Sequence, residues 1–340
     1  MKIGIFSDIH IHNWKRFAKP STLYLGINSR AEACLEVLFQ IGTIAKEEPL
    51  DCILFCGDFF ESRGNVSIPL VVASKIILSE ILDICPIFAV SGNHDLVGAS
   101  SESISALNMF DSLNSENGFT ILDNRIVGYR ELSIAGIPNG SSLSRLDDED
   151  KKGKILIMHH HVTGARMSSS SSMMVKSDIS IEQIEEYMER FGYSYCFIGD
   201  IHTRQKLEDN IWYVGSALQH DFGETQNKGI LILDTDKSSI EFREIPSPKF
   251  FSIGEDEIDS IDNFNYFEVR ASSSDSFHSL VNKLKALWNV IVIAPPLETK
   301  ETVITDVSLV TSPVEALKSW LESKNYENIQ EILSIGEKYL

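Results

Sequence analysis

Short apolar runs that stop abruptly at polar or glycine residues punctuate the chain. KIGIF is followed by SDIH, CILF by CGD, PIFAV by SGNHD, KILIM by HHH and YCFI by GDIH. Runs of β-branched and aromatic residues that do not alternate with polar ones suit strands buried on both faces. Helical spacing of apolar residues links them at 31–47, 69–84, 103–113 and 179–191. Pro86 closes the second of these, and Ser180 with Gln183 three residues on forms a capping signal for the last. Strands alternating with helices predict an α/β core. Segments 118–138 and 211–246 break into short strands and turns, which predicts a second, more antiparallel group.

The pattern changes after Pro246 and Pro248. Strand-like stretches at 266–271 and 290–294 flank a helical one at 277–288, predicting a small β-α-β module. PPLETKET (295–302) reads as a linker, and 313–322 and 329–340 read as amphipathic helices. The expected organisation is therefore a large domain at 1–246, a small one at 247–296, and a linker with terminal helices at 297–340. MSSSSSM (167–173) reads as a low-complexity loop, and the acidic run 147–150 as a solvated turn.

Composition adds limits. A chain of 340 residues, 43% hydrophobic and 23% charged, is ordinary for a soluble protein with a large core. No run is long enough to span a bilayer. The opening MKIGIF lacks a basic segment followed by a long apolar one, so no secretory leader is expected and a cytoplasmic location is. The five cysteines (Cys34, Cys52, Cys56, Cys85 and Cys196) are odd in number, without C-x-x-C spacing, and read as buried free thiols. The net charge of −19 provides no basic face for nucleic acid. Any such contact needs bound cations or a basic partner.

The strand ends carry the chemistry. Functional groups in α/β sheets collect beyond the carboxyl ends of strands. That edge would hold Asp8, His10, Asp58, Asn93, His94, Asp95, His159, Asp200 and His202. Asp8 and His10 are one residue apart, as are Asp200 and His202; on extended chain each pair points one way. Imidazoles and carboxylates with an Asn amide suit Mn, Fe or Zn better than Ca. About seven such groups are too many for one tetrahedral ion, so two ions sharing a carboxylate are expected, as in two-metal phosphoesterases. Gly57 and Gly92 would let the backbone turn sharply beside them.

The ordered set DIH, GD, GNHD, a strand-end His and G-x-x-H resembles the calcineurin-type metallophosphoesterase superfamily. GDFFESR (57–63), GDIHTRQKLEDNIWYVGSALQHDFGE (199–224) and SPVEALKSWLE (312–322) look like segments of the SbcD/Mre-type DNA repair nucleases, including recombination nuclease subunits of tailed phages. That resemblance implies a four-layer αββα sandwich with a small β-α-β capping domain and C-terminal helices. It implies a nuclease subunit that degrades double-stranded DNA ends from the 3′ side and cuts single strands. Two divalent ions, most often Mn2+, are implied, with a homodimer and an SMC-like ABC ATPase that the C-terminal helices dock. Carried over by position, Asp8, His10, Asp58 and His202 would hold one ion. Asp58, Asn93, His159 and Asp200 would hold the other, and His94 would be the acid, with Asp95 nearby as its orienter. Asp200 stands where relatives usually have His; either it ligates, or an extra histidine of HHH completes the set. His159 keeps the family's spacing to Gly164, with His161 next in line and His160 facing away. Glu61 stands where some relatives carry a site-facing His and reads as salt-bridged or solvated; His12 and His220 are further candidates for substrate contact. The other reading is a small-molecule phosphoesterase for cyclic nucleotides or nucleotide sugars, which needs no partner.

Overall fold

Alternation of side chains along the central strands sorts the interior into layers. The elements run β1 (Lys2–Phe6), α1 (Ser29–Glu47), β2 (Cys52–Phe55), α2 (Ile68–Leu82), β3 (Ile87–Ala89) and β4 (Phe119–Ile121). They continue with β5 (Arg125–Tyr129), β6 (Leu132–Ile137), β7 (Lys154–His159), α3 (Ile181–Phe191), β8 (Tyr193–Gly199), β9 (Gln205–Glu208) and β10 (Ile211–Tyr213). The last are β11 (Gly229–Asp234), β12 (Ser239–Glu244), β13 (Phe250–Gly254), β14 (Tyr266–Arg270), α4 (Ser274–Leu284) and β15 (Val290–Ile293). The computed structural model describes residues 1–295 apart from 24, 99–102, 112, 114–116, 144–153, 168–174, 176 and 178. Of the rest it describes Lys318, Leu321, Ile329 and Leu333. The chain divides into two compact units, Met1–Pro295 and Pro296–Leu340. Most of the terminal helices, the loop 167–173 and the acidic turn 147–150 lie outside the described residues.

One sheet has the order β12-β11-β1-β2-β3-β4 and the other β5-β6-β7-β8-β10-β9. Ile3, Ile5, Cys52, Leu54, Ile155, Ile157 and Phe197 meet between the sheets. The intervening residues face outward: Ile53 and Phe55 pack under α1 and α2, while Leu156, Met158 and Ile198 pack under α3. Both faces of these strands are therefore covered, which is why their runs do not alternate with polar residues. The result is the expected α/β four-layer αββα sandwich. The third sheet, β13-β14-β15, is parallel throughout, with α4 between β14 and β15.

Helix ends follow local chemistry. Asn28 caps α1 by accepting from the Arg30 and Ala31 amides, and Ser180 and Gln183 form the expected capping box on α3. Differences from the sequence reading also have local causes. Among its described residues, segment 103–113 holds a 3-10 turn, Ala106–Phe110, rather than the expected helix; its buried residues Leu107 and Phe110 are three apart and fit that tighter helix. Helix α4 begins earlier than expected, at Ser274, because Ser273 caps the Ser276 amide. The small module has an additional strand, β13, parallel to β14. Among the described residues no helix is long and apolar enough to cross a membrane. All five cysteines are buried and free; burial pushes the thiols of Cys34 and Cys85 up to about 12.

Candidate metal centre

The parallel strands β1, β2 and β3 of one sheet, and β7 and β8 of the other, end at the same rim. Past β1 the chain leaves the extended conformation: Asp8 and His10 have φ of 51° and 47°, Asp58 62° and Asp200 94°. The two D-I-H stretches therefore do not share a face by the strand alternation that their spacing suggested. Left-handed turns aim them, and non-glycine residues enter that region only against a steric cost. The turns are held by amides of Asp8 on the Gly57 carbonyl (3.0 Å) and of Ile9 and His10 on the Asp58 carbonyl (3.0 and 3.1 Å).

Asp95 secures the next layer. Its carboxylate accepts from the amides of Asp58 (2.8 Å), Phe59 (2.9 Å), Phe60 (3.4 Å) and Gly92 (3.0 Å). Burial and the neighbouring Asp58 push its carboxyl up to about 7. Asp95 thus braces the loops and does not orient His94. Asp95→Ala strands these amides and is expected to cost about 3 kcal/mol of stability, measured by urea unfolding. Gly57, at φ 96°, turns the chain as expected. Gly92 answers a different need: a Cβ there would lie 2.1 Å from Asp58 Oδ1.

The acceptors converge on two points. His10 Nε2 and His202 Nε2 are 3.1 Å apart. Asp8 Oδ1 lies 3.9 and 4.0 Å from them, and Asp58 Oδ2 lies 3.6 Å from His10 Nε2. His202 Nδ1 meets Glu224 Oε1 at 2.6 Å, and His10 Nδ1 lies 2.8 Å from Glu61 Oε2. Donating from Nδ1 to Glu224, His202 turns its Nε2 toward that of His10, whose own Nδ1 lies near Glu61 without a hydrogen bond. Two imidazole nitrogens at this distance need a proton or a cation between them. Two nitrogens each about 2.1 Å from one ion would lie about 3.0–3.4 Å apart, so the observed spacing fits. Burial opposes charge on His202, but the Glu224 hydrogen bond and charge prevail and raise it to about 9.

At the second point His159 donates from Nδ1 to the Cys56 carbonyl (2.7 Å), which directs Nε2 into the site. Around Nε2 stand Asn93 Oδ1 at 3.0 Å, Asp58 Oδ2 at 3.4 Å and Asp200 Oδ1 at 3.7 Å. The Asn93 oxygen faces only acceptors, while its nitrogen faces the Arg63 guanidinium at 3.2 Å. Turned over, the amide would donate to His159 and Asp58; the two orientations suit a site with and without a cation. Burial opposes charge on Asp58 and His159, yet their contact holds Asp58 well below the usual carboxylate range and His159 well above the imidazole range. Three overlapping groups could each hold an ion: Asp8, His10 and His202; His10, Asp58 and His94; and Asp8, Asp58 and His159.

The flanking histidines divide by position. His161 is half exposed, with Nε2 3.2 Å from Asp200 Oδ2, whereas His160 is buried and burial lowers it to about 4. His220 is turned inward: its Nε2 meets the Asp8 carbonyl at 3.0 Å, and its ring packs on His10 and His202. His12 lies 3.3 Å from Ser62 Oγ and edge-on to Trp14. His94 is partly exposed at the rim. Its Nδ1 donates to the Glu61 carbonyl (2.6 Å) and lies 3.5 Å from the Glu61 carboxylate. The Glu61 carboxylate thus lies within 4 Å of two site histidines. Sequence reading gave no role to Lys228 or Arg63; Glu224 ends the 199–224 segment as part of a downstream acidic motif, but nothing in its spacing links it to His202.

The model of the calcineurin-like phosphoesterase family matches residues 1–204, and the chain belongs to that family. Two viral proteins are similar in sequence. "Putative phosphoesterase 244L" of Invertebrate iridescent virus 6 is 23% identical over 191 residues, 54% of this chain and 64% of that protein. "Putative phosphoesterase 078R" of Invertebrate iridescent virus 3 is 23% identical over 211 residues, 61% of this chain and 58% of that protein. The chain thus spans about 60% of the length of these relatives. Among solved structures, TT1561 of Thermus thermophilus is 12% identical, with a TM-score of 0.44, over 72% of this chain and 99% of that one. A dimetal phosphatase of Danio rerio is 10% identical, with a TM-score of 0.40, over 68% and 91%.

Proposed function

We propose that the chain is a two-metal phosphodiesterase acting on DNA. The observation that carries the hydrolytic reading is the convergence of acceptors on two points that share Asp58 Oδ2, 3.6 Å from His10 Nε2 and 3.4 Å from His159 Nε2. Asp8, His10, Asp58 and His202 would hold one divalent ion; Asp58, Asn93, His159 and Asp200 would hold the other. Bound there, such ions supply Lewis acidity and an activated water. The chain's own contribution is position and protons. His94 has Nδ1 committed to Glu61, so its Nε2 is available to protonate the leaving oxygen. Arg63, exposed beside Asn93, can hold a non-bridging phosphoryl oxygen.

DNA as the substrate rests on the resemblance of GDFFESR and the 199–224 segment to repair nucleases. Partial exposure of His94, His202 and His161 at 29, 28 and 47% is compatible with a phosphodiester in a long chain. A basic SMC-like ATPase would offset the −19 charge, with Mn2+ as the metal and a homodimer as the assembly. Purified protein with Mn2+ is expected to cut linear duplex DNA, and faster with that partner and ATP. Turnover of a cyclic nucleotide with no action on DNA would instead support the small-molecule reading.

A further inference from the structure

We infer that the two ions are held unequally, and that Glu224 makes the position built by Asp8, His10, Asp58 and His202 the tight one. The inference rests on the two-metal reading above and concerns what stands behind each imidazole.

Glu224 is buried, and both of its oxygens are occupied. Oε1 accepts from His202 Nδ1 at 2.6 Å. Oε2 meets Lys228 Nζ at 2.7 Å and Ser216 Oγ at 3.1 Å. Lys228 Nζ also donates to the His202 carbonyl and to Ser216 Oγ, both at 2.7 Å. Lysine, glutamate and histidine therefore close a ring of contacts, with Glu224 and Lys228 only 6 and 5% exposed. The carboxylate cannot swing inward to ligate. It fixes the His202 tautomer and increases the basicity of Nε2, the usual effect of a carboxylate behind a metal-binding imidazole. His10 Nδ1 lies 2.8 Å from the Glu61 carboxylate but makes no hydrogen bond to it.

The second position differs in both respects. Its one imidazole, His159, is backed by the neutral Cys56 carbonyl. Its other donors are oxygens of Asn93, Asp58 and Asp200. Each position has two carboxylates, so ligand charge does not separate them; nitrogen count and backing do. Two imidazoles, one of them hydrogen-bonded to a buried carboxylate, favour a borderline transition ion, whereas an oxygen-rich set binds harder ions more loosely. Asp200 Oδ2 also faces the half-exposed His161. Loading is then stepwise, with the second ion the exchangeable one.

Mn2+ titration of the full chain, following free Mn2+ by electron paramagnetic resonance, tests this without reference to activity. Wild type is expected to bind two ions in two resolved steps. Glu224→Gln, which retains an acceptor but removes the charge, is expected to weaken the tight step about 10–100-fold and spare the loose one. Asp200→Ala is expected to erase the loose step and leave the tight one at wild-type affinity. Should Glu224→Gln fail to fold by circular dichroism, Asp200→Ala still decides whether the positions are unequal. Two ions of indistinguishable affinity, an unmoved tight step in Glu224→Gln, or equal weakening of both steps would overturn the inference. A wild type that binds fewer than two ions would instead overturn the two-metal reading on which it stands.

Discussion

His94→Gln is expected to lower kcat about 10²–10⁴-fold while two ions still bind. The side chain is held at Nδ1 by Glu61 and lies at the rim, where substrate would arrive. Glutamine approximates the donor's reach but cannot deliver a proton. The loss should therefore fall on kcat more than on KM. It should shrink for substrates with a good leaving group, such as a nitrophenyl phosphodiester, because departure of that group needs no proton. Equal losses for good and poor leaving groups would mean that His94 steadies charge on the phosphoryl group instead. Although His94 belongs to one possible ion-holding triad with His10 and Asp58, its Nδ1 already donates to the Glu61 carbonyl. Loss of an ion in His94→Gln would move it from acid to ligand.

Asp58→Asn is expected to have the larger effect. Its Oδ2 stands near the donors of both positions, and Oδ1 accepts from the His94 amide at 2.9 Å. Removing the charge weakens both ions at once and loosens the loop that presents His94. Activity should fall at least about 10³-fold, equivalent to about 4 kcal/mol of transition-state stabilisation. Metal content should fall with it. Asp58 is buried in the protein's interior, so the amide also relieves repulsion with Asp95. It also removes the charge that pairs with His159, and since contact with His159 holds the Asp58 carboxyl well below the usual range, that attraction outweighs the repulsion; the urea midpoint in chelator should therefore fall below that of wild type.

The strands that build the site were legible because they are buried on both faces. KIGIF, CILF, KILIM and YCFI had to be central, and the polar residues after them had to meet at one rim. The α3 start was legible because a capping box is local chemistry written within four residues. What the sequence did not display depends on the third dimension. Glu224 reaches His202 across 22 residues, and Glu61 reaches His10 across 51, through loops with no periodicity. The role of Asp95 was misread for a similar reason: adjacency to His94 suggested a partner, but the backbone turn points its carboxylate back at the Asp58 loop. Positive φ at Asp8, His10, Asp58 and Asp200 is only weakly signalled by residue type, since Asp and His enter that region more readily than other side chains but rarely do so without surrounding hydrogen bonds to bear the cost. Strand β13 escaped because FFSIG pairs on one side only, against β14, and its exposed residues mask the apolar ones.

The central claim is that two ions share Asp58. Anomalous diffraction from crystals grown with Mn2+ measures it most directly. Two peaks are predicted, both within bonding distance of the Asp58 carboxylate, one beside His10 and His202 and the other beside His159 and Asn93. A single peak, or two peaks with Asp58 bound to only one, would contradict the account.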